Sequence, residues 1–305
     1  MDQQNLLPNV LSWCEGLFGP CHVLSGDVRF HGRTAVLAVQ AGEARYYIKI
    51  YREALDWEVE AHGYTHWAAA FEDHAPRLVA VREENPLALV VSALPGRPMA
   101  ETRLTLDQER AVWRTAGQAL AQLHEWARGT FFGPCRRDGR PVMVPTIDDA
   151  PTYVLADLEH WVERGRCAGC LTREELALVE AARPLADSFA GEPPIPCHRD
   201  YGPANWLIAE DGTWAGVIDF EFSRWDVRIA DFTRYPDWEW LRRPDLIQAF
   251  FEGYGRPLTA QEEAQCLFGH VQYAIGAIVW GYENHFHGFE AEGHEALRHL
   301  ASQLR

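Results

Sequence analysis

Between His198 and Phe220 the chain carries three side chains whose types and spacing could do chemistry together. His198-Arg199-Asp200-Tyr201-Gly202-Pro203-Ala204-Asn205 reads as a loop with an acid near its start and an amide at its end. Trp206-Leu207-Ile208 follows as an apolar run, Glu210-Asp211-Gly212-Thr213 as a turn, and Gly216-Val217-Ile218 as a second run that ends in Asp219. Such a hairpin returns Asp219 to the neighbourhood of Asn205. Carboxylate and amide oxygens converging there are hard ligands of the kind that hold Mg²⁺, together with oxygens of a substrate phosphate. Asp200, left free of the metal, can accept a hydrogen bond from an attacking hydroxyl. The set amounts to one base and two metal ligands, with no nucleophile supplied by the protein.

These residues need a scaffold, and the chain changes character along its length. Up to about Leu94 it reads mainly as strands. Ala35-Val36-Leu37-Ala38-Val39 and Tyr46-Tyr47-Ile48-Lys49-Ile50-Tyr51 are apolar and aromatic runs joined through Ala41-Gly42-Glu43, a hairpin-like connection. A helix is expected from about Trp57 to Phe71, and a short buried strand from Leu87 to Val91. Pro95-Gly96-Arg97-Pro98 then punctuates the chain. Beyond it the reading is helical. Thr105 with Gln108, Thr172 with Glu175 and Thr259 with Glu262 each form a capping box, in which hydroxyl and acidic or amide side chains reciprocally satisfy end amides. The first opens a long helix with Val112, Ala116, Ala119, Leu123 and Trp126 along one stripe. No internal repeat is evident.

Composition excludes several classes. The 305 residues are 47% hydrophobic and 12% aromatic, enough for a substantial core and unlike a disordered chain. With 28 Lys plus Arg against 44 Asp plus Glu, the formal charge is −16, which disfavours a nucleic-acid ligand. The start, Met1-Asp2-Gln3-Gln4-Asn5, has neither the basic nor the apolar region of a signal peptide. Seven irregularly spaced cysteines argue against a disulfide framework and suit a reducing, cytoplasmic setting. The uncharged span Ala264–Tyr282 approaches membrane-crossing length, but Gln265, His270 and Gln272 interrupt it. Leu267, Val271, Ile275, Ile278 and Tyr282 recur at helical spacing, so a buried core helix is expected and no membrane contact.

Asp200 to Asn205 has the spacing of the kinase catalytic loop H-R-D-x-x-x-x-N, and Asp219 matches the Asp of D-F-G. The tripeptide here is Asp219-Phe220-Glu221; no A-P-E follows, and Ala230-Asp231-Phe232 comes too soon for an activation segment. The chain therefore resembles the aminoglycoside phosphotransferase and choline-kinase-like family of small-molecule kinases, over most of its length from the Lys49 strand to Asp231. Arg199 departs from that family, whose loop typically has Gly at this position. The resemblance implies an α+β, two-lobed protein-kinase-like fold. Residues 1–94 would form a nucleotide-binding lobe with a small antiparallel sheet and one main helix. Residues 95–305 would form a larger, mostly helical catalytic lobe, with the hinge at about 91–96. It implies ATP or GTP with Mg²⁺, Asp200 as catalytic base, and Asn205 and Asp219 on the metal. It also implies Ser92 and Leu94 at the hinge, where backbone groups meet the base of the nucleotide. Lys49 would neutralise the phosphates, held by Glu60 of the following helix, with Glu58 as the substitute. Of the 28 cationic residues 27 are Arg, and Lys49 is the one lysine. A compact ammonium on phosphate is not readily exchanged for a planar guanidinium. Asp231 resembles a family acid that braces the catalytic loop, and equally suits a helix cap.

Other signals carry less. Gly26 and Gly32 are the glycines available to a phosphate-covering loop and equally suit a hairpin turn. Cys167-Ala168-Gly169-Cys170 has metal spacing but lacks a second ligand pair. His62 and His66 lie four apart on a helix without the Glu of H-E-x-x-H and read as surface or packing residues. Trp238, Glu239 and Glu283, aromatic and acidic side chains near the end of the chain, are candidate contacts for a cationic or sugar-like substrate. The expectation is an O-phosphotransferase acting on a small molecule with a free hydroxyl, an antibiotic such as an aminoglycoside first, working as a monomer or homodimer. A metabolic kinase for choline, homoserine or a sugar, and a catalytically silent nucleotide-binding relative, are the alternatives.

Overall fold

The computed structural model describes residues 6–30, 32–233 and 243–304. The chain forms two compact units. The first comprises Met1–Arg103, Pro134–Val142 and Pro203–Ser223; the second comprises Leu104–Gly133, Met143–Gly202 and Arg224–Arg305. Residues 203–223 thus fold with the first unit, although in sequence they follow the expected hinge.

The first unit is built on a five-stranded antiparallel sheet of β1 (Cys21–Gly26), β2 (Thr34–Ala41), β3 (Ala44–Tyr51), β4 (Leu78–Arg82) and β5 (Ala88–Ser92), in the order β1-β2-β3-β5-β4. The β2–β3 hairpin pairs Ala41 with Ala44 across the expected turn, where Gly42 takes φ 58°. Alternation along β2 and β3 decides what each face carries. Leu37, Val39, Ile48 and Ile50 join one buried cluster with Leu6, Val10 and Cys14 of helix α1 (Leu6–Phe18). This helix corrects the reading of the N-terminal region as mainly strands. Its apolar positions repeat every four residues, a helical period that was there to be read. Lys49 and Tyr51 alternate with Ile48 and Ile50 and so leave β3 on the opposite side.

The helix expected over residues 57–71 is α2 (Ala54–His66), followed by a separate 3-10 stretch, Ala68–His74, broken where Glu72 has φ 53°. At the tip of β1, a Cβ on Gly26 would stand 2.1 Å from the Val36 carbonyl oxygen, so only glycine permits this approach. A smaller sheet of β6 (Arg97–Pro98), β8 (Trp206–Ile208) and β9 (Trp214–Val217) completes the unit.

The second unit is mostly helical: α3 (Leu106–Trp126), α4 (Ala150–Ala168), α5 (Arg173–Ala182), the short α6 (Ala230–Thr233), α7 (Pro244–Tyr254), α8 (Ala260–Glu283) and α9 (His287–Leu300). All three capping boxes form, opening α3, α5 and α8. Val112, Ala116, Ala119 and Leu123 are buried as the stripe on α3 requires, but Trp126, in the last turn, is half exposed. Val271, Ile275 and Ile278 bury α8 in the core, whereas Tyr282 at its end is exposed. Among the described residues no helix is long and apolar enough to cross a membrane. A two-stranded ribbon of β7 (Ile195–Cys197) and β10 (Arg224–Asp226) supports the loop that begins at His198.

Candidate active site

In the first unit, strand register brings the metal-ligand candidates together. Trp206 pairs with Val217, and beyond that pair the Ile218 amide donates to the Asn205 carbonyl at 3.0 Å. Asp219 is the next residue. It lies in the left-handed region at φ 71°, which a short polar side chain tolerates better than most. The Lys49 ammonium bridges two acids far apart in sequence, Nζ lying 2.5 Å from Glu60 Oε1 and 2.8 Å from Asp219 Oδ1. Burial works against its charge, yet Asp219 and Glu60 outweigh that cost and hold its pKa well above the ordinary lysine value. Glu58, the alternative partner, instead meets Arg136 at 3.0 Å.

Helix α2 can sit against Asp219-Phe220-Glu221 because position 63 is glycine. A Cβ there would stand 2.4 Å from Ser223 Oγ and 3.0 Å from Phe220 Cβ. Phe220 is fully buried between the rings of Tyr64 and Phe71. Two residues in this neighbourhood were not picked out from sequence. Tyr51 donates its hydroxyl to Glu60 Oε2 at 2.5 Å, foreshadowed only by its place two residues after Lys49 on the same strand. Glu221 brings a third carboxylate, with oxygens of Glu60, Asp219 and Glu221 lying within 4.8 Å of one another. Burial, reinforced by the Asp219 charge, raises Glu221 to about 7. Both Glu60 oxygens are taken by Lys49 and Tyr51, whereas the Asp219 and Asn205 side chains offer hard oxygen donors of the kind that suits a divalent cation such as Mg²⁺.

The hinge candidates lie at the end of β5. The Ser92 amide donates to Arg77 O at 2.9 Å and the Ala93 amide to Arg45 O at 3.1 Å, while Leu94 is half-buried two residues on. Gly26, with Asp27, Thr34 and Val36, lines a pocket on the β1–β2 hairpin.

In the second unit the loop after β7 is clamped by a buried acid. Asp231 accepts from the His198 and Arg199 amides and from His124 Nε2, the last at 3.0 Å. Burial alone would raise its pKa, but the His124 contact and these donors hold it below the usual carboxylate range. The Asp200 amide donates back to His198 Nδ1 at 3.3 Å, a tight turn that carries the Asp200 side chain. Arg199 takes φ 69°, in the region glycine favours, where the resembling family typically has glycine.

Glu283, at the end of α8, is ion-paired with Arg164, whose guanidinium lies 4.4 Å over the Trp161 ring. Trp238 and Glu239 lie outside the described residues. Cys167 and Cys170 are free thiols near the left-handed cap Gly169. His62 packs on His66 at 4.4 Å between ring centroids and on the edge of Trp67.

A mainly antiparallel sheet unit carrying a Lys–Glu–Asp bridge, and a helical unit carrying a clamped acidic loop, define a kinase-like phosphotransferase. The family model described as "Phosphotransferase enzyme family" matches residues 30–266, and the chain belongs to that family. The fold is that of solved aminoglycoside phosphotransferases. A thermostable mutant of APH(4)-Ia in its apo form aligns at TM-score 0.73 and 13% identity, covering 96% of this chain and 98% of that one. The GDP and kanamycin complex of APH(2")-IIia aligns at TM-score 0.70 and 13% identity, covering 97% and 99%. An APH(4)-Ia ternary complex with AMP-PNP and hygromycin B gives TM-score 0.70 at 14% identity over 96% and 97%. No curated protein matched the sequence.

Proposed function

We propose that this protein transfers the γ-phosphoryl group of ATP or GTP to a hydroxyl of a small molecule, with Mg²⁺, and that its acceptor is an aminoglycoside or another hydroxylated cationic drug. The observation that carries the reading is the Lys49 ammonium held between Glu60 and Asp219. A buried cation fixed beside a carboxylate that can also ligate a metal is suited to the oxygens of a nucleoside triphosphate.

In this reading Lys49 offsets charge on the phosphates, and the backbone at Ser92 and Leu94 meets the base of the nucleotide. Asn205 and Asp219 would hold Mg²⁺, which when bound would supply positive charge against the triphosphate oxygens. Asp200 orients the acceptor hydroxyl and takes its proton as the new oxygen–phosphorus bond forms and the bond to the β-phosphate oxygen breaks, releasing the nucleoside diphosphate. Catalysis is then mostly positioning and electrostatics. Trp238, Glu239 and Glu283 are the proposed acceptor contacts. Kanamycin and hygromycin B, bound by the structural neighbours, are polycations, and a chain of net charge −16 attracts such molecules. Seven free cysteines suit a cytoplasmic location, which is part of the same proposal.

The test is incubation with Mg·ATP or Mg·GTP and a panel of hygromycin B, kanamycin, gentamicin, choline, homoserine and glucose, read by mass spectrometry. Gain of one phosphoryl group on an aminoglycoside is expected. Phosphorylation of choline, homoserine or glucose alone would move the protein to metabolism. Nucleotide binding with no acceptor modified would leave a silent relative.

A further inference from the structure

We propose that Tyr51 is a positioning residue whose hydroxyl orients the Glu60 carboxylate and thereby sets where Lys49 is presented to nucleotide phosphates. This rests on the reading of Lys49 as the phosphate contact. Lys49 and Tyr51 are two residues apart on β3 and leave the strand on the same side. Both end on Glu60 of α2, but on different oxygens: Lys49 Nζ on Oε1 and the Tyr51 hydroxyl on Oε2, each at 2.5 Å. Glu60 is 0% exposed and Tyr51 3%, so water cannot stand in for either donor.

The terminal torsion of a glutamate is broad, and one donor does not fix it. Two donors, one on each oxygen, set both the plane of the carboxylate and the direction from which Lys49 approaches it. The Tyr51 hydroxyl remains a donor because burial, reinforced by the Glu60 charge, keeps its pKa well above the ordinary phenol value. Lys49 has a second anchor in Asp219. Without the Tyr51 hydroxyl, Glu60 Oε2 is buried with no donor of its own and the carboxylate turns to share the ammonium. The balance that held Lys49 between Glu60 and Asp219 is then lost. Phenylalanine differs from tyrosine here only by that oxygen, so the packing of the ring is retained.

Titration calorimetry with two probes, Mg·AMP-PNP and adenosine, separates this role from loosening of the fold. Tyr51→Phe should raise the Kd for AMP-PNP by about three- to tenfold, because Lys49 is no longer held where the phosphates meet it. Its Kd for adenosine, which has no phosphate, should stay within about twofold of the parent. Tyr51→Phe combined with Lys49→Met should bind AMP-PNP no more weakly than Lys49→Met alone. Equal weakening for both probes, or parental AMP-PNP affinity in Tyr51→Phe beside a weakened Lys49→Met, overturns the role of Tyr51. Parental AMP-PNP affinity in Lys49→Met overturns the phosphate reading, and the proposal with it.

Discussion

Arg199 Nη1 lies 3.0 Å from Asp226 Oδ2, joining the residue before the proposed base to the ribbon strand β10. Asp226 is buried and also accepts from the Tyr153 hydroxyl at 3.1 Å and the Val227 amide at 2.8 Å. Burial opposes the Arg199 charge, but Asp226 and its neighbours outweigh it and raise its pKa. The ion pair therefore offsets the left-handed backbone that a non-glycine residue adopts at this position.

Arg199→Gly relaxes that backbone, worth about 1–2 kcal/mol, and strands a buried carboxylate, which costs about 3–5 kcal/mol. A net destabilisation of about 2 kcal/mol is expected by urea denaturation. Adding Asp226→Asn should recover most of it. A double variant no more stable than Arg199→Gly would mean that the pair is not what holds this arginine.

Asp200→Asn should fold and bind nucleotide like the parent while turnover drops by at least about 10²-fold, the lower range for loss of general-base help. Single-turnover kinetics at saturating acceptor read this directly. Near-parental turnover would remove Asp200 from the role of base.

Asp219→Asn removes one of the two carboxylates that hold Lys49 and one proposed metal ligand. Its effect should fall on Mg²⁺: the concentration giving half-maximal activity should rise by about tenfold or more. An unchanged Mg²⁺ dependence would count against that assignment.

His62 is buried, and burial, with the nearby His66 charge, lowers its pKa to about 4. The folded value lies below the unfolded one, so the folded state favours the neutral ring. Stability from this site is present above the unfolded pKa of about 6.5 and is lost as pH falls from there toward 4. Between pH 7 and pH 5 the loss is about 2 kcal/mol. His62→Leu should flatten the dependence by that amount in urea titrations at the two pH values, and a variant as acid-sensitive as the parent would assign the loss elsewhere.

Much of the site was legible because its signals are short-range. The turn at Glu210–Thr213 returns the chain on itself, and Asp219 follows the residue whose amide bonds to Asn205. The three capping boxes are likewise local, each complete within four residues. Helix α1 is marked only by Leu6, Val10 and Cys14 at helical spacing, a weaker local signal than the β-rich runs that follow it.

The sequence by itself determined the loop from His198 to Asn205, the hairpin that follows, the β2–β3 pairing and the singular Lys49, all consequences of neighbouring residues or fixed strand periodicity. Only the tertiary structure decided which acid Lys49 meets. Glu58 and Glu60 lie roughly 200° apart around α2, so they face different surroundings. Trp57, Val59, Glu60, Ala61, His62, Gly63 and Tyr64 are all buried, and no polar stripe marks which way the helix is turned. Its rotation is set by the sheet on one side and by the approach of Phe220 and Ser223 at Gly63 on the other, contacts between segments about 160 residues apart. That rotation also places Glu60 under the Tyr51 hydroxyl, and in the second unit the pairing of β10 with β7 gives Arg199 a buried acid in place of the freedom of glycine.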